Sequence, residues 1–345
     1  VVAYIDDVNF EGTLRSGFQD ENLVWGDEFL LDGPLDPNRW FHQTQLPNGN
    51  SWYNGEIQHY TDRIDNAFVE EGILKIMAKK EIYSDQGVTK NYTSARINSN
   101  FAFTYGRVEI RAKLPEGRGT WAALWTLGKN VNEKGAYWYN QGYGTTGWPA
   151  CGEIDILEHW GNNQNFVQSA MHTPSSPGGP ITKGGRDLPT ASTEFHTYAM
   201  DWTPEKIVFS VDGVEHYTYN PAVKDEDTWP YDHDHYLLMN IAIQNTIDPE
   251  FTQSPMEIDY VRVYDMGVIS GIPPKVQDRF RVYPNPAGAY TAIWFSCTGS
   301  ADAEIRLVGL DGTLVKTFPP SRGDHETILD LSGVREGMYL LRVTG

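Results

Sequence analysis

The segment Glu153-Ile154-Asp155-Ile156-Leu157-Glu158 constrains this chain more than any other. Its three carboxylates are separated by apolar β-formers that favour burial on a strand. Burying charge is costly unless the charge is paired or used. A strand alternates faces, so Glu153 and Asp155 share one face, and Glu158 points away if the strand is regular. One extra residue, a β-bulge between Asp155 and Glu158, returns Glu158 to the face of the other two. Two glutamates then flank an aspartate on one surface. Hydrolysis of a glycosidic bond with retention needs such a set, a nucleophile and an acid/base about 5 Å apart. The backbone separates the glutamates by about 13 Å, or four strand steps, so both side chains have to lean inward. The competing reading is a charged edge strand without chemistry.

The rest of the chain reads as β structure. Ile73–Ala78, Arg107–Ala112 and Lys206–Val211 alternate or nearly alternate, and Asp212-Gly213 sits between two β runs as a tight hairpin signal. Short strands broken by Gly, Pro, Asn and Asp, with no long helical period, indicate an all-β sandwich or barrel. Residues 129–147 read as a long loop before the carboxylate strand, bordering a groove. Residues 173–190 read as a second loop. Residues 1–22 are weakly patterned and read as an arm.

Acidic residues outnumber basic ones by 46 to 27, a net charge of −19. This disfavours nucleic acid, anionic membranes and heavily sulfated polysaccharides as partners. Aromatics are abundant (11 Trp, 19 Tyr, 14 Phe), which suits a sugar-binding groove as well as a β core. Cys151 and Cys297 fall in separate segments, so no disulfide framework is expected. No apolar run is long enough to insert in a membrane. The sequence shows no signal-peptide pattern and starts at Val1 without Met, as expected of a processed or trimmed secretory precursor.

The flanks of the carboxylate segment carry a family resemblance. Trp148–Glu158 resembles the active-site strand of glycoside hydrolase family sixteen, with the bulged spacing of its laminarinase and agarase branches rather than the shorter lichenase form. Leu23–Phe29, Glu56–Thr61, Thr93–Ile97, Tyr105–Glu109 and Met256–Tyr264 follow in the family's order. The resemblance implies a jelly roll of two antiparallel sheets over residues 23–266, with the groove on the concave sheet. It also implies roles for individual residues. Glu153 is the expected nucleophile, Glu158 the general acid/base and Asp155 the residue that tunes the pair, although the residues alone allow the glutamates to exchange roles. Trp121, Trp125 and Trp148 are expected sugar platforms, with core packing as the alternative. His172 is expected in the groove near the acid/base. Asn54, Glu56 and Arg96 match positions expected to contact sugar hydroxyls, Arg96 alternatively being a buried partner of Glu56. Glu28, Gly72 and Asp259 match a structural calcium site on the convex face; the reaction itself needs no metal or other catalytic cofactor. Asp232-His233-Asp234-His235 reads as a turn rather than a metal site.

Two departures from the common laminarinase pattern bear on specificity. Gly55 replaces a frequent asparagine, and Gln244–Pro249 replaces a loop that usually carries a platform tryptophan. The expected activity is endo-cleavage of β-1,3-glucan. The alternatives are mixed-linkage glucan or an agar-type galactan, or a non-catalytic carbohydrate-binding sandwich.

Composition changes near Gly267, and residues 267–276 read as a linker. Residues 277–345, opening on Tyr283-Pro284-Asn285-Pro286 and closing on Gly337–Val343, resemble the C-terminal sorting domain of type nine secretion cargo. The alternative is a small immunoglobulin-like accessory module. The resemblance implies a small β-sandwich, export by the secretion machinery of a Bacteroidetes-like bacterium, and a secreted or surface-attached enzyme. A monomer is expected.

Overall fold

The computed structural model describes residues 22–179, 181–267, 280–283, 290–295, 303–309, 313–321, 327–335 and 339–344. The arm expected before residue 22 and all but Gly267 of the expected linker lie outside these. The chain divides into two compact units, the larger spanning Gly17–Val268 and the smaller containing Ile269–Gly345.

In the larger unit the strands are β1 (Leu23–Asp27), β2 (Trp40–His42), β3 (His59–Tyr60), β4 (Ala67–Glu70), β5 (Ile73–Asp85), β6 (Val88–Ser94), β7 (Arg96–Phe103), β8 (Gly106–Lys113), β9 (Thr120–Gly128), β10 (Glu153–Trp160), β11 (Phe166–His172), β12 (Lys183–Asp187), β13 (His196–Trp202), β14 (Ile207–Val211), β15 (Val214–Tyr219), β16 (His235–Ile243) and β17 (Gln253–Tyr264). They form two sheets. One runs β15-β14-β13-β8-β17-β5-β6-β3, with β1 added at β17 and β4 at β5; the other runs β12-β11-β10-β9-β16-β7-β2. All these pairings are antiparallel except β3–β6. This is the expected sandwich.

The core lies between the sheets. Val108, Ile110, Ile258, Val261 and Val263 face Leu124, Ile154, Ile156, Leu237, Met239 and Ile241 in one apolar cluster. In β9 and β16 the alternate residues Ala123, Trp125, Leu127, Tyr236 and Leu238 point to the outer face of the seven-stranded sheet and form a second cluster with Val131 and Cys151. The centre of this sheet is thus covered on both sides, which explains why β16 is buried along its whole length. Part of the cover comes from residues 129–147, which contribute Val131 and Trp138. That segment is an ordered loop carrying one helical turn, Tyr137–Asn140. Lys129 clips it, with its ammonium 4.4 Å from the Trp138 ring and 4.3 Å from the Tyr143 ring. Asp234 accepts the same ammonium at 3.2 Å.

The Asp212-Gly213 hairpin joins β14 to β15 as expected, with φ of 52° and 75°. The reading of 173–190 as loop is corrected, because Lys183–Asp187 adds β12 to the sheet edge beside β11. This strand has no alternating apolar pattern to announce it. Its Gly184-Gly185 pair is dictated by close neighbours: a Cβ at Gly184 would lie 2.7 Å from Tyr217, and one at Gly185 would lie 2.4 Å from the Val167 carbonyl.

Among the described residues, the smaller unit contains two three-stranded antiparallel sheets. One is built from Phe280–Tyr283, Tyr290–Phe295 and Thr327–Asp330, the other from Leu314–Ser321, Ala303–Gly309 and Tyr339–Thr344. Ile305, Leu307, Phe318 and Leu329 are buried.

Because the larger unit has its own core, a chain ending at Val268 should unfold cooperatively with a Tm within a few degrees of the corresponding transition in the full chain. A Tm lowered by more than about 10 °C, or a non-cooperative melt in calorimetry, would show that the smaller unit is part of the same folding unit.

Candidate active site

The carboxylate strand β10 lies between β9 and β11. Asp155 pairs with Ala170 of β11, and pairing resumes at Glu158 opposite Gln168, so three steps on one strand meet two on the other. Against β9, Asp155 pairs with Trp125 and Leu157 with Leu124, two steps against one. This is the expected bulge. Ile154, Ile156 and Leu157 all join the core, while Glu153, Asp155 and Glu158 are left for the outer face. Gly152 permits the entry to the strand: its φ is 73°, and a Cβ there would lie 2.3 Å from the Pro230 carbonyl.

The site is deeply set. Asp155 is 3 % exposed, Glu158 7 % and His172 9 %. His172, opposite Glu153 on β11, places Nε2 3.0 Å from Asp155 Oδ2 and 3.4 Å from Glu153 Oε1. The histidine expected near the acid/base therefore sits beside the other glutamate. The Trp148 indole donates to Glu153 Oε2 at 3.0 Å. Glu158 accepts from the Trp121 indole and from the Gln168 amide, both at 3.2 Å. The Tyr231 hydroxyl donates to the His172 carbonyl at 2.8 Å and fixes the end of β11.

These contacts set the proton balance. Burial, then the Asp155 charge, pushes Glu153 up to about 8 and Glu158 likewise up to about 8. Burial pulls His172 down, but the contact with Asp155 and the charges of all three carboxylates outweigh it and raise it to about 10. Near neutral pH both glutamates are thus pushed toward their protonated forms and His172 toward its cation. Glu153, Asp155 and His172 bring ligand atoms within 4.8 Å of one another, a set that could hold an ion. Cys151 is buried and its thiol is pushed up by burial, which rules it out as a nucleophile at neutral pH.

The other expected site residues divide. Trp121 is half-buried and stacks on Trp160 at 5.7 Å. Trp148 is the exposed one, at 46 %, with its ring 5.7 Å from His172. Trp125 lies deeper. It is buried, its indole donates to Asn240 at 2.8 Å, and the Arg96 guanidinium covers its ring at 4.8 Å. Asn54 is exposed, at φ 55° in the turn Tyr53–Gly55.

Arg96 is not the partner of Glu56. It binds Glu133 at 2.6 Å and Gln43 at 3.0 Å, while Glu56 is held by Gln58 and Tyr60. Glu133, Gln43, Gln168 and Asn240 escaped the sequence reading. Gln168 and Asn240 were detectable, Gln168 by sharing strand parity with His172 and Asn240 as a polar residue in an apolar strand. Glu133 had no such signal.

The residues expected to hold calcium are otherwise engaged. Glu28 is gripped by Arg262 through both oxygens, at 2.7 and 2.8 Å, and Asp259 accepts from Arg111. Gly72 lies in the left-handed turn between β4 and β5. Both carboxylates already have a counter-charge, so the trio does not fit a calcium cage as it stands. In the segment 232–235, His233 contacts the Cys151 carbonyl and Asp234 accepts from Thr104 and Lys129. This is a structural turn, as expected.

Residues 54–262 match the model of glycosyl hydrolases family 16. The chain belongs to that family. It is 41 % identical over 258 residues to the β-glucanase of Rhodothermus marinus, covering 70 % of this chain and 84 % of that protein. The crystal structure of LamAcat from Zobellia galactanivorans is 45 % identical, with a TM-score of 0.66, covering 71 % of this chain and 98 % of that one. The laminarinase of Flavobacterium sp. UMI-01 is 38 % identical, with a TM-score of 0.61, covering 70 % of this chain and 100 % of that one. Residues 281–345 match the secretion system C-terminal sorting domain. The family 16 fold here is therefore that of a glycoside hydrolase carrying an export segment.

The proton balance has a measurable consequence. The alkaline limb of kcat/KM should fall near pH 8, where the raised glutamates lose their protons. Asp155→Asn removes a charge that raises both glutamates, so the limb should move to lower pH, with kcat falling about tenfold. A pH–rate profile in which the limb stays in place or moves to higher pH would show that Asp155 does not set the balance.

Proposed function

We propose that the chain is an endo-acting β-1,3-glucanase that hydrolyses laminarin-type glucan with retention. Glu153 is the nucleophile and Glu158 the general acid/base. The observation that carries this assignment is the difference between their partners. Glu153 faces the His172 cation at 3.4 Å and takes the Trp148 hydrogen bond, an environment that favours its anion. Glu158 accepts hydrogen bonds from neutral donors, Trp121 and Gln168, and feels the His172 charge without a direct ion pair to it, an environment that keeps a proton on it more readily.

In the first step a Glu153 oxygen attacks the anomeric carbon as Glu158 gives its proton to the departing glycosidic oxygen. The C–O bond breaks and a glycosyl ester forms on Glu153. In the second step Glu158, now a carboxylate, takes a proton from water, and the water oxygen displaces Glu153. Asp155, 3.0 Å from His172, keeps the imidazolium charged and beside the nucleophile. A purely binding sandwich would gain nothing from three converging buried carboxylates.

The β-1,3-glucan assignment rests on the relatives named β-glucanase and laminarinase. The net charge of −19 agrees with a neutral glucan rather than a sulfated one. Reducing-end release should be fastest on laminarin, slower on lichenan and negligible on agarose. Faster release from lichenan or agarose would replace the substrate assignment. Glu153→Gln and Glu158→Gln should each lower turnover of laminarin at least about 10²-fold with Tm unchanged. A variant retaining more than about a tenth of wild-type turnover would remove that glutamate from the mechanism.

A further inference from the structure

Ile156 is the residue that both neighbouring ladders skip. A bulge leaves a backbone group outside the ladder, and a buried carbonyl needs a partner. The partner comes from Ser169 of β11, whose hydroxyl lies 2.7 Å from the Ile156 carbonyl oxygen. A second group reaches that hydroxyl, His216 Nε2 of β15, at 2.9 Å. Ser169 has the strand parity of Met171, which is in the core, and it is fully buried. It therefore cannot touch a substrate in the groove.

The proton positions follow by elimination. A serine hydroxyl has one proton, and a carbonyl oxygen only accepts. The Ser169 proton is committed to Ile156, so His216 must donate from Nε2. Burial, then the Arg186 charge, pulls His216 down to about 4 and keeps it neutral, with a single N–H. Its Nδ1 is buried without a partner, as suits a bare lone pair. The chain runs from His216 Nε2–H to Ser169 Oγ–H to the Ile156 oxygen.

We propose that Ser169, backed by His216, is a positioning residue for Glu158: its hydroxyl pins the bulged Ile156 peptide and thereby fixes how the carboxyl group two residues on meets the leaving-group oxygen. The neighbouring Gln168 holds the Glu158 carboxyl at 3.2 Å, so adjacent residues of β11 grip the backbone of the bulge and the side chain it delivers. The inference rests on the reading of Glu158 as acid/base.

The test compares two substrates. Laminarin expels a sugar alkoxide, which needs the acid's proton. An aryl β-laminaribioside with a dinitrophenyl leaving group does not. Ser169→Ala should lose roughly 10–100-fold on laminarin, the scale of a misplaced catalytic group, yet less than about threefold in the single-turnover release of dinitrophenol. His216→Leu should show the same split in weaker form, and His216→Gln, whose amide can still donate, should retain most of the laminarin rate. The histidine variants carry the test if Ser169→Ala does not fold. Laminarin rates within about twofold of wild type, or equal losses on both substrates, would overturn the proposal. Glu158→Gln on the same pair separates the underlying reading. If it loses both rates equally, the acid/base assignment falls, whatever the Ser169 variants do.

Discussion

A strand that buries one face can present both residue 153 and residue 158 on the other only by gaining a residue between them. The site depends on this constraint. The slip after Asp155 is accommodated in both neighbouring ladders, by Ala170 and Gln168 on one side and by Trp125 and Leu124 on the other. If these same residues ran as a regular strand, Glu158 would turn into an apolar core and Leu157 would face the groove. The hydrophobic pattern and the bulge therefore support one another, because Ile154, Ile156 and Leu157 all find the core only if the strand is irregular.

The same burial supplies the chemistry. Burial and the Asp155 charge raise both glutamates. Two like charges about 4 Å apart repel by about 4 kcal/mol at an effective dielectric constant near 20, equivalent to about three pKa units. A cluster of three carboxylates with one imidazolium therefore keeps a proton at neutral pH. Both glutamates are raised alike, and the proposed division of roles between them rests on His172, which stands against Glu153 and Asp155. Trp148 and Trp121 tie their indoles to the two glutamates in turn, so side chains suited to flanking a sugar also orient the carboxylates.

The all-β class and the carboxylate set were legible because both rest on short-range pattern, while the choice of a sandwich over a barrel came from the family resemblance. Alternation marked the strands, and parity showed that the three carboxylates could share a face only through a bulge. Interactions between residues far apart in sequence left no such trace. Arg96 finds its counter-charge 37 residues away in Glu133, on a loop whose composition signalled only that it was long. Strand β12 is written in glycines and charges, and it exists because β11 offers an edge and Tyr217 and Phe166 require small neighbours. Glu28 and Asp259 matched a calcium pattern by position, but the guanidinium groups of Arg262 and Arg111 oppose them, and positional matching could not foresee that.

The central claim is that the bulge brings two glutamates to one face at a separation suited to a covalent intermediate. Proton NMR of the first minutes of laminarin hydrolysis, before mutarotation, tests it most directly. Retention through a glycosyl ester on Glu153 requires the newly formed reducing end to appear first as the β-anomer. An α-anomer appearing first would mean that water attacks directly across a wider gap, and would contradict the account.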